Sequence, residues 1–146
     1  MKFTLGTLIC ILVFFACEKQ SKLPLEGTWE LVSATSTEKD STYSTFNSKV
    51  RMIKIINQSH FAFMSHAISG PEDSTKAAFT AGGGKYSLNN NTYTENLEFF
   101  IDPQWENHKF EFEVKIENDT LTQKGVEKLE KLGIDRIIVE KYKRVK

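Results

Sequence analysis

From residue 28 onward, apolar and polar side chains alternate with a period of two, which is the pattern of strands with one buried and one wet face. The clearest stretch is residues 109–117, where Phe110, Phe112, Val114 and Ile116 alternate with Glu111, Glu113 and Lys115. Trp29 and Leu31 flank Glu30 in a first strand, and Tyr93, Leu97 and Phe99 alternate with Thr92, Thr94, Asn96 and Glu98. Ile138 and Tyr142 alternate with Lys141 and Lys143 in a last one. Residues 50–57 and 60–67 predict two further strands joined at Gln58-Ser59, although 50–56 is apolar on both parities and its register is unreadable. Residues 85–88 pair forward through Asn89-Asn90-Asn91, and Asn118-Asp119 makes a second turn into 120–124, because Asn and Asp tolerate left-handed backbone.

About eight short strands joined mostly by short turns predict an all-β, antiparallel up-and-down barrel. One short helix is expected near the C-terminus over residues 125–133, where Val126, Leu129 and Leu132 recur at three-residue spacing and Gly133 is placed to cap. Residues 35–48, with eight Ser or Thr in fourteen positions, read as a flap, and 69–76 as a surface connection.

The first residues break the alternation. Positions 3–16 carry no charge, follow Lys2 and end on the small residue Ala16, which marks a secretory signal too short to span a bilayer. The expected organisation is a signal at 1–16, a tether at 17–24 and one barrel domain at 25–146. About 130 residues suffice for a single core that buries roughly two-thirds of the unfolded surface. With 19 basic and 19 acidic residues, bulk charge excludes a nucleic-acid binder built on electrostatics. Cys10 lies within the signal, so Cys17 is the single thiol left and no disulfide framework is expected.

Catalytic and metal motifs are weak. Gly82-Gly83-Gly84-Lys85 lacks the first glycine of a phosphate loop, since Phe79 stands there, and it predicts a bulge or bend instead. His60 and His66 share the face opposite Phe61 and Phe63, and no ligand spacing is present, so no metal or cofactor is expected. No nucleophile context exists, and the chain is read as a non-enzyme; acid–base work by Glu95 and the tyrosines is the third alternative. The informative residues are polar ones at inward parity: Glu95 between Tyr93 and Leu97, and Arg136, Glu140, Tyr142 and Arg144 on the face of Ile138. Charges there must be paired, and Glu95 and Glu140 against Arg136 and Arg144 is the expected balance. Such a network either fills a solid barrel or forms the polar end of a ligand cavity.

Two resemblances add to this reading. Phe14-Phe15-Ala16-Cys17 resembles a bacterial lipobox, with Phe14 in place of the usual aliphatic residue, and implies a Cys17 that is lipidated and becomes the N-terminus. Gly27-Thr28-Trp29, the strand count and a late Arg144 resemble the lipocalin and fatty-acid-binding superfamily. The closer likeness is to lipocalin-like domains of small bacterial lipoproteins. Those pair a Gly-Gly-Gly-x-Tyr and an Asn-x-Tyr-Thr-Glu stretch with a closing Glu-x-Tyr-x-Arg, seen here at 82–86, 91–95 and 140–144. The likeness implies that Gly27, Trp29 and Arg144 close one barrel end.

The expected protein is then a monomer anchored by lipid at the envelope of a Gram-negative-type bacterium, outside the cytoplasm. Glu18 is not the inner-membrane retention residue and leans the assignment toward the outer membrane. Its expected partner is a small hydrophobic or amphipathic ligand, walled by Phe61, Phe63, Phe99, Phe110 and Phe112. Tyr86, Tyr93, Glu95, Arg136, Glu140 and Tyr142 would form the polar end. The alternative is a cavity-free barrel serving as an interaction or structural module.

Overall fold

Every segment read as a strand from its alternation is a strand in the computed structural model, which describes residues 24–68 and 79–146. In chain order these are β1 (Gly27–Glu38), β2 (Ser41–Ser44), β3 (Val50–Ile56), β4 (His60–Ala67), β5 (Phe79–Asn89), β6 (Thr92–Phe100), β7 (His108–Glu117), β8 (Thr120–Leu129) and β9 (Ile134–Arg144). Successive strands from β3 to β9 pair antiparallel, β1 pairs with β3, and β9 returns to β1. The result is a closed, antiparallel eight-strand barrel, with β2 folded back on the far end of β1 as a hairpin. Closure leaves no long unpaired edge among these strands. The signal segment, Cys17, the tether up to residue 23 and the connection at 69–76 lie outside the described residues.

The turns follow the side chains that build them. Asn90, Asn118 and Asp119 all take positive φ, as a two-residue hairpin turn requires. On β7 the inward set is Phe110, Phe112, Val114 and Ile116, with the charged residues between them exposed, as the alternation predicts. These side chains join Leu25, Trp29, Ile56, Phe61, Tyr93, Leu121 and Tyr142 in one core.

Three expectations are overturned. Residues 125–133 do not form a helix: β8 runs to Leu129, and only a 3₁₀ turn, Glu130–Leu132, precedes Gly133 at φ 66. The spacing of Val126, Leu129 and Leu132 was coincidental, because β8 is hydrogen-bonded to β9 down to Leu129↔Ile134 and Val126 is exposed. Residues 35–48 are not a free flap, since β1 continues to Glu38 and β2 pairs with it from Thr35↔Ser44 to Glu38↔Ser41. Phe99 points outward and is 65% exposed. The β5–β6 register slips between Gly83↔Phe99 and Gly84↔Leu97, so Glu98 is an extra residue and Phe100 takes the inward place. The glycines permit this approach: a Cβ on Gly84 would overlap the carbonyl oxygen of Asn96, and one on Gly82 would lie 2.6 Å from the Phe63 ring.

Candidate functional site

The barrel interior has a sealed base and a cavity, separated by a polar layer. The base is formed where β1 begins and β9 ends. Trp29 is fully buried, and its indole N–H donates to the carbonyl of Leu25 at 2.8 Å. Arg144 crosses outside it, its guanidinium carbon 4.0 Å from the Trp29 ring. Its Nη1 and Nη2 donate to the carbonyls of Glu26 and Pro24 at 2.8 and 2.6 Å. Gly27 is needed beneath this clamp, because its φ is 141° and a Cβ would sit 2.5 Å from Arg144 Nη1. Arg144 therefore lies against both Gly27 and Trp29, and it is not part of the interior charge balance; its carboxylate neighbour is Asp119 at 3.6 Å.

Above the base lies the polar layer. Lys54, 2% exposed, points inward from β3 beside Trp29 in the register. Its Nζ donates to Glu95 Oε1 at 2.7 Å and to Gln123 Oε1 at 3.0 Å. The same ammonium lies 5.8, 5.8 and 5.3 Å from the ring centres of Phe61, Tyr93 and Tyr142. Gln123 Nε2 donates weakly to Glu140 Oε2 at 3.4 Å, and the Tyr142 hydroxyl donates to the same oxygen at 2.7 Å. The layer therefore links β3, β6, β8 and β9 across the barrel.

Burial pushes the Glu140 carboxyl above its ordinary pKa, an effect opposed by the charge of Lys54 and the hydrogen bond from Tyr142. Burial, and then the charge of Glu140, likewise holds the proton on Tyr142. Tyr93 is fully buried and its hydroxyl has no hydrogen bond of acceptable geometry, while burial and the nearby charge of Glu95 oppose its ionisation.

Beyond this layer the barrel holds a cavity of about 300 Å³. Its walls are Met52, Phe63, Leu97, Phe100, Phe110, Phe112 and Ile138; its floor includes Lys54, Glu95, Gln123, Glu140 and Tyr142. It reaches the end of the barrel at Thr80, Asp102, Trp105, Glu127 and Arg136. A 3₁₀ turn, Pro103–Trp105, shapes that end: the Asp102 carboxylate accepts from the backbone N–H of Gln104 at 3.0 Å. The turn sets the Trp105 ring 5.7 Å from Phe100 and 6.1 Å from Phe110 between ring centres. Arg136 caps Trp105 at 5.8 Å and is held by Glu127, with Nε to Oε2 at 2.7 Å. Among the described residues, no three His, Cys, Asp or Glu side chains come together as a metal site.

Of the side chains expected to bind a ligand, Phe63, Glu95, Phe110, Phe112, Arg136, Glu140 and Tyr142 line this cavity. Phe61 and Tyr93 are buried beneath the polar layer instead, packed edge to face with ring centres 6.5 Å apart. Tyr86 is half-buried and its hydroxyl donates to the carbonyl of Asn57 at 2.7 Å, away from the cavity. Phe99 is outside the barrel. The expected charge balance is replaced by different partners, Lys54 for Glu95 and Glu127 for Arg136.

Sequence reasoning missed Lys54, Gln123, Glu127, Phe100 and Trp105. Lys54 was hidden by the two-sided hydrophobicity of β3 and Glu127 by the helical reading of 125–133, while Gln123 lies on the short strand 120–124, whose parity was not read. For Trp105 a signal existed: Asp102-Pro103 has the N-cap residue and first-turn proline that open a helical turn.

The family Domain of unknown function (DUF4488) matches residues 24–146, the whole barrel, and the chain belongs to it. Comparison with curated proteins returns no match.

Proposed function

We propose that this member of the family is a lipocalin-like binding protein for one small hydrophobic or amphipathic molecule, held at the bacterial envelope by lipid on Cys17. The observation that carries the reading is the cavity of about 300 Å³ between aromatic walls and a hydrogen-bonded polar floor. That volume is at the lower end of small-molecule pockets, and an eight-strand barrel is just wide enough for either a filled interior or one small ligand. The open space favours the ligand over the solid interaction module. Support for the lipocalin likeness comes from the contact of Trp29 with Arg144 at the base.

The reading is one of binding without turnover. Glu95, the carboxylate considered for acid–base work, is held by Lys54 at 2.7 Å. Residue 24 enters at the base, where Arg144 grips its carbonyl. An anchor at Cys17 therefore attaches at the end of the barrel opposite the cavity mouth. A lipid chain contributes about 0.8 kcal/mol per buried methylene, so a multiply acylated Cys17 holds firmly.

Native mass spectrometry of the gently purified full-length protein, beside a denatured control, tests the binding reading. Added mass that is lost on denaturation is the expected result, and a clean unliganded mass together with a filled cavity in a crystal structure would overturn it. Palmitate labelling tests the anchor: Cys17→Ala is expected to abolish both label and membrane partition.

A further inference from the structure

The cavity carries more acid than base. Glu95, Asp102, Glu127 and Glu140 line it from β6, the turn after β6, β8 and β9, against Lys54 of β3 and Arg136 of β9. Pairing is selective. Lys54 is taken by Glu95 at 2.7 Å and Arg136 by Glu127 at 2.6 Å, while Asp102 caps its own turn. Among the described residues Glu140 has no cation of its own. Its two hydrogen bonds come from neutral donors, Tyr142 and Gln123, and both fall on Oε2. Among the described residues Oε1 accepts none, although the side chain lines the cavity.

We propose that the ligand is an organic cation, a protonated amine on a compact apolar or aromatic body, and that Glu140 receives its ammonium. The proposal rests on the small-molecule reading above and names the class of ligand. A carboxylate ligand would add to the negative excess and would compete with Glu95 or Glu127 for a cation already in use. A cation reduces the excess and completes the unfilled side of Glu140, while its apolar body meets the aromatic walls at Phe63 and Phe100. Burial that raises the Glu140 pKa in the unliganded protein is the cost of that missing partner.

The test is calorimetric titration of the full-length protein with three probes of similar size: phenethylammonium, 2-phenylethanol and phenylacetate. Phenethylammonium is expected to bind about tenfold or more tightly than the alcohol, with phenylacetate weakest. Glu140→Gln, nearly identical in shape, is expected to erase the amine preference. A second measurement needs no variant: amine affinity should fall as pH drops through the titration of Glu140, while alcohol affinity stays level. That titration is read against its neighbours Lys54, Glu95, Glu127, Arg136, Tyr93 and Tyr142.

Equal or stronger binding of the alcohol or phenylacetate overturns the cation preference and leaves the small-molecule reading standing. An amine preference that survives Glu140→Gln overturns the role of Glu140. If none of the three binds, the cation proposal falls, and the native mass spectrum alone decides the broader one.

Discussion

At the base of the barrel Leu25, Trp29, Val114 and Leu121 are each no more than 2% exposed and interlock, whereas at the other end Met52, Phe63, Phe100 and Trp105 enclose about 300 Å³ of open space. The first set comes from the entry to β1 and from β1, β7 and β8, the second from β3, β4, β6 and the turn that follows β6. The base is closed because an indole and aliphatic side chains meet with no polar atom left over: Trp29 spends its one donor on Leu25. The upper half stays open because its inward positions include charges that need partners at fixed distances. Lys54, Glu95 and Gln123 tie opposite walls together, and apolar neighbours cannot collapse through them without unpairing a buried charge. A barrel this narrow is kept from filling by its polar layer, so the layer is at once structural support and the floor of the site.

The comparison breaks most readily at Lys54. Lys54→Met leaves Glu95 buried without its cation and is expected to cost about 3–5 kcal/mol of unfolding free energy in urea titration. Adding Glu95→Leu should recover most of that loss, since an apolar pair has no charge to strand. Next in size is Leu121→Ala in the base, expected to cost about 2–5 kcal/mol, against less than about 2 kcal/mol for Met52→Ala at the cavity wall. A packed site forms a new void on truncation, whereas Met52 already borders one. Equal losses would mean that the two ends are packed alike.

Tyr93→Phe removes a buried hydroxyl that makes no well-formed hydrogen bond among the described residues. Thermal unfolding is expected to show no loss, and a gain of up to about 1 kcal/mol. The smallest effect is the pH dependence of Glu140. Its folded pKa is raised above its unfolded value, so folding favours the protonated form. That contribution is fully present below the unfolded pKa, near 4.5, and is lost as pH rises through the raised folded value. Glu140→Gln should flatten this part of the stability–pH curve, as measured by urea titrations across that window.

Much of this architecture was legible beforehand. Residues 109–117 announce a strand, its inward face and its solvent face, because a period of two on a half-buried strand is a local pattern. Asn118-Asp119 announces its turn for the same reason: positive φ is a property of the residues themselves. The polar residues Glu95, Arg136 and Glu140 were also marked as inward by parity. Their partners were not, and Phe99 and Phe100 exchanged roles across a bulge that no alternation reveals.

The chain alone thus determined the strands, most turns, the barrel class and the presence of charge inside it, since each depends on neighbours a few residues apart. Tertiary structure alone decided that Lys54 pairs with Glu95, residues 41 apart, and that 125–129 extends as strand because β9 pairs along it from Gly125↔Ile138 to Leu129↔Ile134. It also decided where the space would be. A cavity is what remains after distant side chains have packed, and closure of β9 on β1 is the step that brings them together.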